Sequence, residues 1–269
     1  MVRNESLKIN WFPGHMAKSL KKIQQIEKFV DFWFEVVDAR APFSSRGQIF
    51  DNIIKAKPRV VVLQKSDLAS DSVTNSWIAY FKSKDILSLK SSRTHKVYQN
   101  VLKILNNLKI KKKFNQKIRA AVIGVPNVGK SCFINNLIGR KKLKVENRAG
   151  VTRDLNWISC GILEMCDTPG ILAPKIDSES AKKISYLGLI KSEILDFEEL
   201  ALNLIKDLGY KDPPEVVLSN FASSNGCKSL GGNLDFEKAS RIFIKKFQSG
   251  KLGKISLETP QNFLNTNFS

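Results

Sequence analysis

Apolar positions in the first half of the chain follow two alternating rhythms. From Met16 through Leu20, Ile23, Ile26 and Val30 they recur every three or four residues, the spacing of one helical face. Short apolar runs come next, Phe32 to Val37 and Arg59 to Leu63, with a weaker one at Asp85 to Leu89. Runs of this kind predict strands buried on both faces, as in parallel sheets. Val97 to Leu108 returns to helical spacing, and a basic stretch, KIKKKFNQKIR, separates it from another strand at Ala120 to Ile123. Ser131 to Gly139 predicts a helix, and Ile162 to Cys166 a further strand.

Strands that alternate with helices and end in polar loops predict an α/β fold with a doubly wound, mostly parallel sheet. Ligands of such sheets bind beyond the carboxyl ends of the strands. After Pro174 the strand runs fade, while Leu195 to Leu208 and Phe236 to Phe247 keep helical spacing, the second stopped at Gly250. The expectation is an α/β domain over residues 1–174 and a smaller C-terminal helical domain over 175–269.

Composition narrows the class. Lys and Arg number 44 against 25 Asp and Glu, a net charge of +19. The apolar share of 42%, with 16 Phe and 4 Trp, argues for a packed core in spite of that charge. No stretch approaches the roughly 18 apolar residues of a membrane span, and the start lacks the apolar run of a secretion signal. A cytoplasmic protein with no membrane partner is expected. Nucleic acid is the usual physical reason for so large a positive excess; Lys-rich solvation of the surface is the plainer one. The 4 cysteines form no Cys-x-x-Cys pair and only 2 histidines exist, which argues against structural zinc.

The strongest chemical signal is Gly124-x-x-x-x-Gly129-Lys130-Ser131, set between a predicted strand and a predicted helix. Such a loop turns backbone amides around phosphate oxygens at a helix N-terminus. Pro126, Asn127, Val128, Gly129, Lys130, Ser131 and Cys132 are therefore the candidate phosphate-binding residues. Lys130 would reach the β- and γ-phosphates, and the Ser131 hydroxyl would ligate Mg²⁺. Asp167-Thr168-Pro169-Gly170 ends the next strand, where an acidic group for the magnesium shell (Asp167) and an amide for the γ-phosphate (Gly170) are needed. Thr152, in Gly150-Val151-Thr152, is the candidate second magnesium hydroxyl. Lys65-Ser66-Asp67 ends an apolar strand. Its aspartate can accept from guanine N1–H and the 2-amino group, while the lysine stem packs on the ring. This base loop precedes the phosphate loop in the chain.

Together with Trp11-Phe12-Pro13-Gly14-His15-Met16-Ala17-Lys18, Asp38-Ala39-Arg40 and Ser44-Ser45-Arg46, these motifs make the chain resemble the circularly permuted P-loop GTPases, and within them the bacterial ribosome biogenesis GTPase A family. The resemblance spans essentially the whole chain, including the tail GKLGKISLE. It implies a GTP-hydrolysing assembly factor of the large (50S) ribosomal subunit that docks on ribosomal RNA when GTP-bound and leaves on hydrolysis, as a monomer. The family's base loop reads Asn-Lys-x-Asp; here Gln64 stands for the Asn. The resemblance also sets Ser91 and Ser92 where a backbone amide meets guanine O6, makes Asn127 a K⁺ ligand, and gives His15 the attacking water.

In Ras-like enzymes a glutamine after the Asp-x-x-Gly turn orients that water; here the position is Ile171. Arg241, Lys245, Lys246, Lys251 and Lys254 are candidate RNA phosphate contacts. Two other readings stand beside the GTPase: a nucleotide-gated RNA-binding module with little intrinsic turnover, and an ATPase on the same phosphate loop.

Overall fold

The computed structural model describes residues 14–52, 54, 57–94, 97–108, 110, 116–139, 144–146, 157–174, 176–229 and 231–263. Its seven strands are β1 (Phe32–Asp38), β2 (Arg59–Gln64), β3 (Leu87–Lys90), β4 (Ile118–Ile123), β5 (Lys144–Glu146), β6 (Trp157–Cys160) and β7 (Leu163–Asp167). They form one sheet in the order β3-β2-β1-β4-β7-β6-β5. The five from β3 to β7 are parallel, whereas β6 pairs antiparallel with both β7 and β5. Every residue of β1 is buried, and all of β2 except Arg59, as runs that are apolar on both faces imply; the one charge inside β1, Glu35, is paired with Arg59 and Arg46.

The helices are α1 (Gly14–Glu27), α2 (Asp71–Ser83), α3 (Tyr98–Asn107), α4 (Lys130–Ile138), α5 (Ser178–Tyr186), α6 (Phe197–Asp207), α7 (Pro214–Ser224) and α8 (Phe236–Gln248). Three of the C-terminal helices begin on an aspartate cap. Asp177 accepts from Ser180 N, Asp196 from Glu198 and Glu199 N, and Asp235 from Lys238 N.

Periodicity foretold α1, α3, α4, α6 and α8 to within a few residues, and four of the five parallel strands closely. It gave no warning of α2, whose Ser, Asn, Thr and Val content favours other conformations. Packing makes that helix: Trp77, Tyr80 and Phe81 seat it on Val37, Val61 and Leu63 as a second core layer. The short strands β5 and β6 were likewise unannounced.

The main core runs without a break from β1, β4 and α4 into α5, α6 and α8. The chain after α8 then returns to the first half. Ile255 N donates to Leu68 O and Leu257 N to Arg40 O. The buried Glu258 carboxylate receives Phe43 N at 2.9 Å and the Ser44 hydroxyl, and its carbonyl takes Trp77 Nε1 at 3.2 Å.

Candidate nucleotide site

The loops after β4, β7 and β2 meet at one edge of the sheet, with β4 at the centre. After β4 the backbone takes conformations that need glycine. Gly124 (φ 153°) lies so close to β1 that a Cβ there would stand 2.6 Å from Val36 O. Gly129 (φ 110°) caps α4, and a Cβ there would stand 2.8 Å from Gln64 Cγ. Asn127 takes the left-handed conformation without being glycine, at φ 57°. Val128 is buried, while Asn127 and Ser131 are exposed at the mouth.

Lys130, the first residue of α4, closes across its own loop: Nζ donates to Gly124 O at 3.2 Å and Val125 O at 3.1 Å. Burial lowers its pKa to about 8, against an opposing pull from Asp167. The Ser131 hydroxyl donates to Asp167 Oδ2 at 3.0 Å, so the two expected magnesium groups meet. Thr168 Oγ1 donates to Val122 O at 2.8 Å, which fixes the turn after β7 on β4. Gly170 then lies against the phosphate loop; a Cβ there would stand 2.8 Å from both Lys130 Nζ and Pro126 N. Ile171 is fully buried in the core.

At the end of β2, Gln64 is buried with its Oε1 unpaired, and its stem packs on Gly129. The longer amide thus joins the base loop to the phosphate loop. Lys65 is left-handed at φ 60°, and Asp67 is exposed. Ser66 ties the loop to the neighbouring turn, its N and Oγ each donating to Ser91 O at 3.0 Å. Ser91 and Ser92 are fully buried. The Ser91 amide donates to Leu63 O at 2.9 Å. Asn136 of α4 donates to Ser92 O.

Between the two loops lies a cavity of about 710 Å³ walled by Gln64, Lys65, Asp67, Asn127, Gly129 and Cys132. Its far wall is C-terminal: Lys245, Gln248, Ser249 and Lys251. Sequence reasoning missed Gln248 and Ser249, because only the fold brings the end of α8 there. It had also set Lys245 and Lys251 on an RNA face. Of the other three basic candidates, Arg241 pairs with Glu237 at 2.9 Å, Lys254 with Asp71 at 2.7 Å, and Lys246 donates to Asn225 Oδ1.

The Asp38-Ala39-Arg40 motif acquires a location as well. Asp38 is fully buried at the end of β1, and its carboxylate holds Arg40 and Lys65 together. Burial alone would raise its pKa; Arg40 and then Lys65 outweigh that and hold it at about 2. His15 falls in α1, but its side chain is outside the described residues, as are Gly150 and Thr152.

A phosphate loop on the central strand, an acidic turn on the next and a base loop preceding both in the chain define a circularly permuted P-loop GTPase. A family described as "50S ribosome-binding GTPase" matches residues 119–221. Ribosome biogenesis GTPase A of Bacillus cereus is 36% identical, the match covering 95% of each chain. The probable ribosome biogenesis GTPase A of Mycoplasma genitalium is also 36% identical, over 94% of this chain and 97% of its own. A crystal structure of GNP-bound YlqF from T. maritima superposes with a TM-score of 0.72 at 29% identity, covering 91% of this chain and 99% of that one. The chain belongs to the ribosome biogenesis GTPase A family, and it is a GTPase. Among the described residues, no helix is long and apolar enough to cross a membrane.

Proposed function

We propose that the chain is an assembly factor of the large ribosomal subunit, a cytoplasmic monomer that docks on ribosomal RNA in its GTP-bound state and leaves on hydrolysis. The observation that carries this reading is the convergence of the phosphate loop and Lys65–Asp67 on one cavity, with the Asp167–Gly170 turn bonded to the phosphate loop through Ser131, in a chain of this family.

In this reading the amides from Asn127 to Cys132 surround the β-phosphate and Lys130 moves from its loop carbonyls to the phosphates. Ser131 and Asp167, two oxygen donors already together at the exposed mouth, fit a hard divalent cation, with Thr152 as a further hydroxyl. Mg²⁺ bound there would neutralise charge that develops on the phosphate oxygens. Gly170 presents its amide to the γ-phosphate, and loss of that phosphate relaxes the turn. Asp67 accepts from guanine, the Lys65 stem lies on its ring, and Gln64 sets the angle between the two loops. The loop at Ser92 supplies the donor to O6. Asn127, whose Nδ2 faces Gly188 O at 3.4 Å, is the residue through which K⁺ would act.

Because Ile171 is buried, the attacking water needs another partner, and His15 at the start of α1 takes that role. In this reading residues 175–269 form the RNA-facing unit and residues 1–174 carry the nucleotide loops.

Sedimentation with large-subunit precursors tests this. Co-migration with a non-hydrolysable GTP analogue and release with GDP is the expected result; equal binding in both states would reject nucleotide control. The buried Ile171 also favours a second reading, a nucleotide-gated RNA binder with little intrinsic turnover. Hydrolysis measured with and without large subunits separates the two, since only the assembly GTPase is stimulated.

A further inference from the structure

The phosphate chemistry makes no use of the buried carboxylate at the end of β1. Asp38 accepts Arg40 Nε on Oδ1 and Arg40 Nη2 on Oδ2, each at 2.9 Å, and Lys65 Nζ also reaches Oδ2 at 2.9 Å. One carboxylate thus sits between two cations, and one of those cations belongs to the base loop. The Arg40 amide adds a bond to Oδ1 at 3.1 Å, so the carboxylate is fixed from its own turn as well.

The remaining guanidinium nitrogen points elsewhere. Arg40 Nη1 donates to Phe247 O at 3.4 Å and Gln248 O at 3.2 Å, and the guanidinium lies over the Phe247 ring, 5.4 Å from its centre. Phe247 and Gln248 end α8. Phe247 O also accepts Gly250 N at 3.0 Å, and a cation beside helix-end carbonyls is favoured by the helix dipole. Arg40 is therefore a buried C-terminal clamp on α8, made of the same planar fork that holds Asp38. Gln248 is pinned on its other side, donating from Nε2 to Tyr186 O at 3.1 Å. The clamped segment is the far wall of the nucleotide cavity.

We propose that Asp38 and Arg40 are positioning residues of the guanine site: Asp38 holds Lys65 against the cavity, and Arg40 binds that unit to the end of α8. This rests on the reading of the cavity as the guanine-nucleotide site. A base lying on the Lys65 stem fixes the carboxylate, the carboxylate fixes the guanidinium, and the guanidinium fixes the turn from Gln248 to Lys251. By linkage the effect is reciprocal, so whatever grips α8 also slows release of the nucleotide. The C-terminal helices thereby sense the base end of the nucleotide, independently of the γ-phosphate turn at Gly170.

Hydrogen exchange of the amides from 248 to 252, with and without saturating GDP, tests the relay. In the unaltered chain GDP should slow their exchange about tenfold. Arg40→Lys keeps a cation beside Asp38 but loses the fork, so it should still bind GDP while that GDP-dependent slowing disappears. A merely structural ion pair would raise exchange equally with and without GDP and leave the difference intact, which would overturn the proposal. Lys65→Met provides the same test from the exposed end should Arg40→Lys not fold: it keeps the stem and removes the ammonium. Persistence of the GDP effect in Lys65→Met would also overturn the relay. Failure of the underlying guanine reading looks different, for then Asp67→Asn leaves GDP affinity of the otherwise unaltered chain unchanged.

Discussion

Lys130 shows how the site is set to respond to a phosphate. Its ammonium is buried against two loop carbonyls and carries a pKa of about 8, below the usual lysine value. Phosphates set against it would favour the charged form and raise that pKa. Nucleotide binding at pH 8 should then take up about half a proton, and at pH 6.5 almost none. Calorimetry in buffers of different ionisation enthalpy reads this directly; no uptake at pH 8 would remove Lys130 from the phosphates. The sign for stability is opposite to that of a paired lysine. The folded pKa lies below the unfolded value of 10.5, so the nucleotide-free chain should gain stability as pH rises from about 8 towards 10.5. At the base end, Asp67→Asn turns one of the two carboxylate oxygens that accept from guanine into an amide donor. A hydrogen bond to a charged group is worth about 1.5–3 kcal/mol, so GDP affinity should fall at least ~10-fold while xanthosine diphosphate, with a carbonyl at C2, gains. Titration of both nucleotides decides it, and unchanged preference would sink the base-loop assignment. These residues were legible because their chemistry is local: a spacing of glycines, a Lys-x-Asp, an acidic strand end. The roles of Asp38 and Gln248 were not, since an ion pair to Lys65 and the wall of a cavity exist only once β1, β2 and α8 are assembled.

Among elements, the decisive contact is the turn after β7 against the loop after β4. Gly170 has no room for a side chain beside Pro126 and Lys130, and Thr168 anchors the turn to β4. Gly170→Ala should therefore push the turn off the phosphate loop and misplace its amide. Loss of one such donor costs roughly 10²-fold in turnover, and GDP affinity, which needs no γ-phosphate contact, should stay within about twofold. Equal losses in turnover and GDP affinity would mean that the substitution damages the phosphate loop itself. The parallel strands were readable because burial on both faces leaves largely apolar runs, interrupted in β1 only by Glu35 before its terminal Asp38. Helix α2 was hidden because its polar, β-branched sequence becomes helical only through the packing of Trp77 and Phe81 on the sheet. After Pro174 the strand runs give way to helical spacing, and the elements that follow are helices. The return of the tail to Phe43, Ser44 and Trp77 was not readable, being carried by one glutamate and a few backbone bonds.

For the whole molecule, the question is how a site without a Ras-like glutamine hydrolyses GTP. Ile171 lies in the core beneath the turn, so no motion short of unfolding that turn brings it to a water. The group that orients water must come from another segment, and α1 begins with Gly14 and His15. Such an arrangement suits control by a partner: a histidine on a segment that the ribosomal subunit orders would act only in the docked state. His15→Ala should then lower subunit-stimulated turnover about 10²-fold while GDP affinity and subunit binding in the non-hydrolysable analogue stay close to those of the unaltered chain. In the proposed scheme the net charge of +19 would supply the docking half. Lys65, Lys245 and Lys251 line the cavity, so most of the positive excess lies outside it, where docking on RNA would use it. Subunit affinity of His15→Ala should fall as steeply with salt as that of the unaltered chain, because the substitution removes no Lys or Arg that could release a counterion. A parallel loss of binding and turnover would instead make α1 a docking element, and the source of the attacking water would have to be sought on the ribosome.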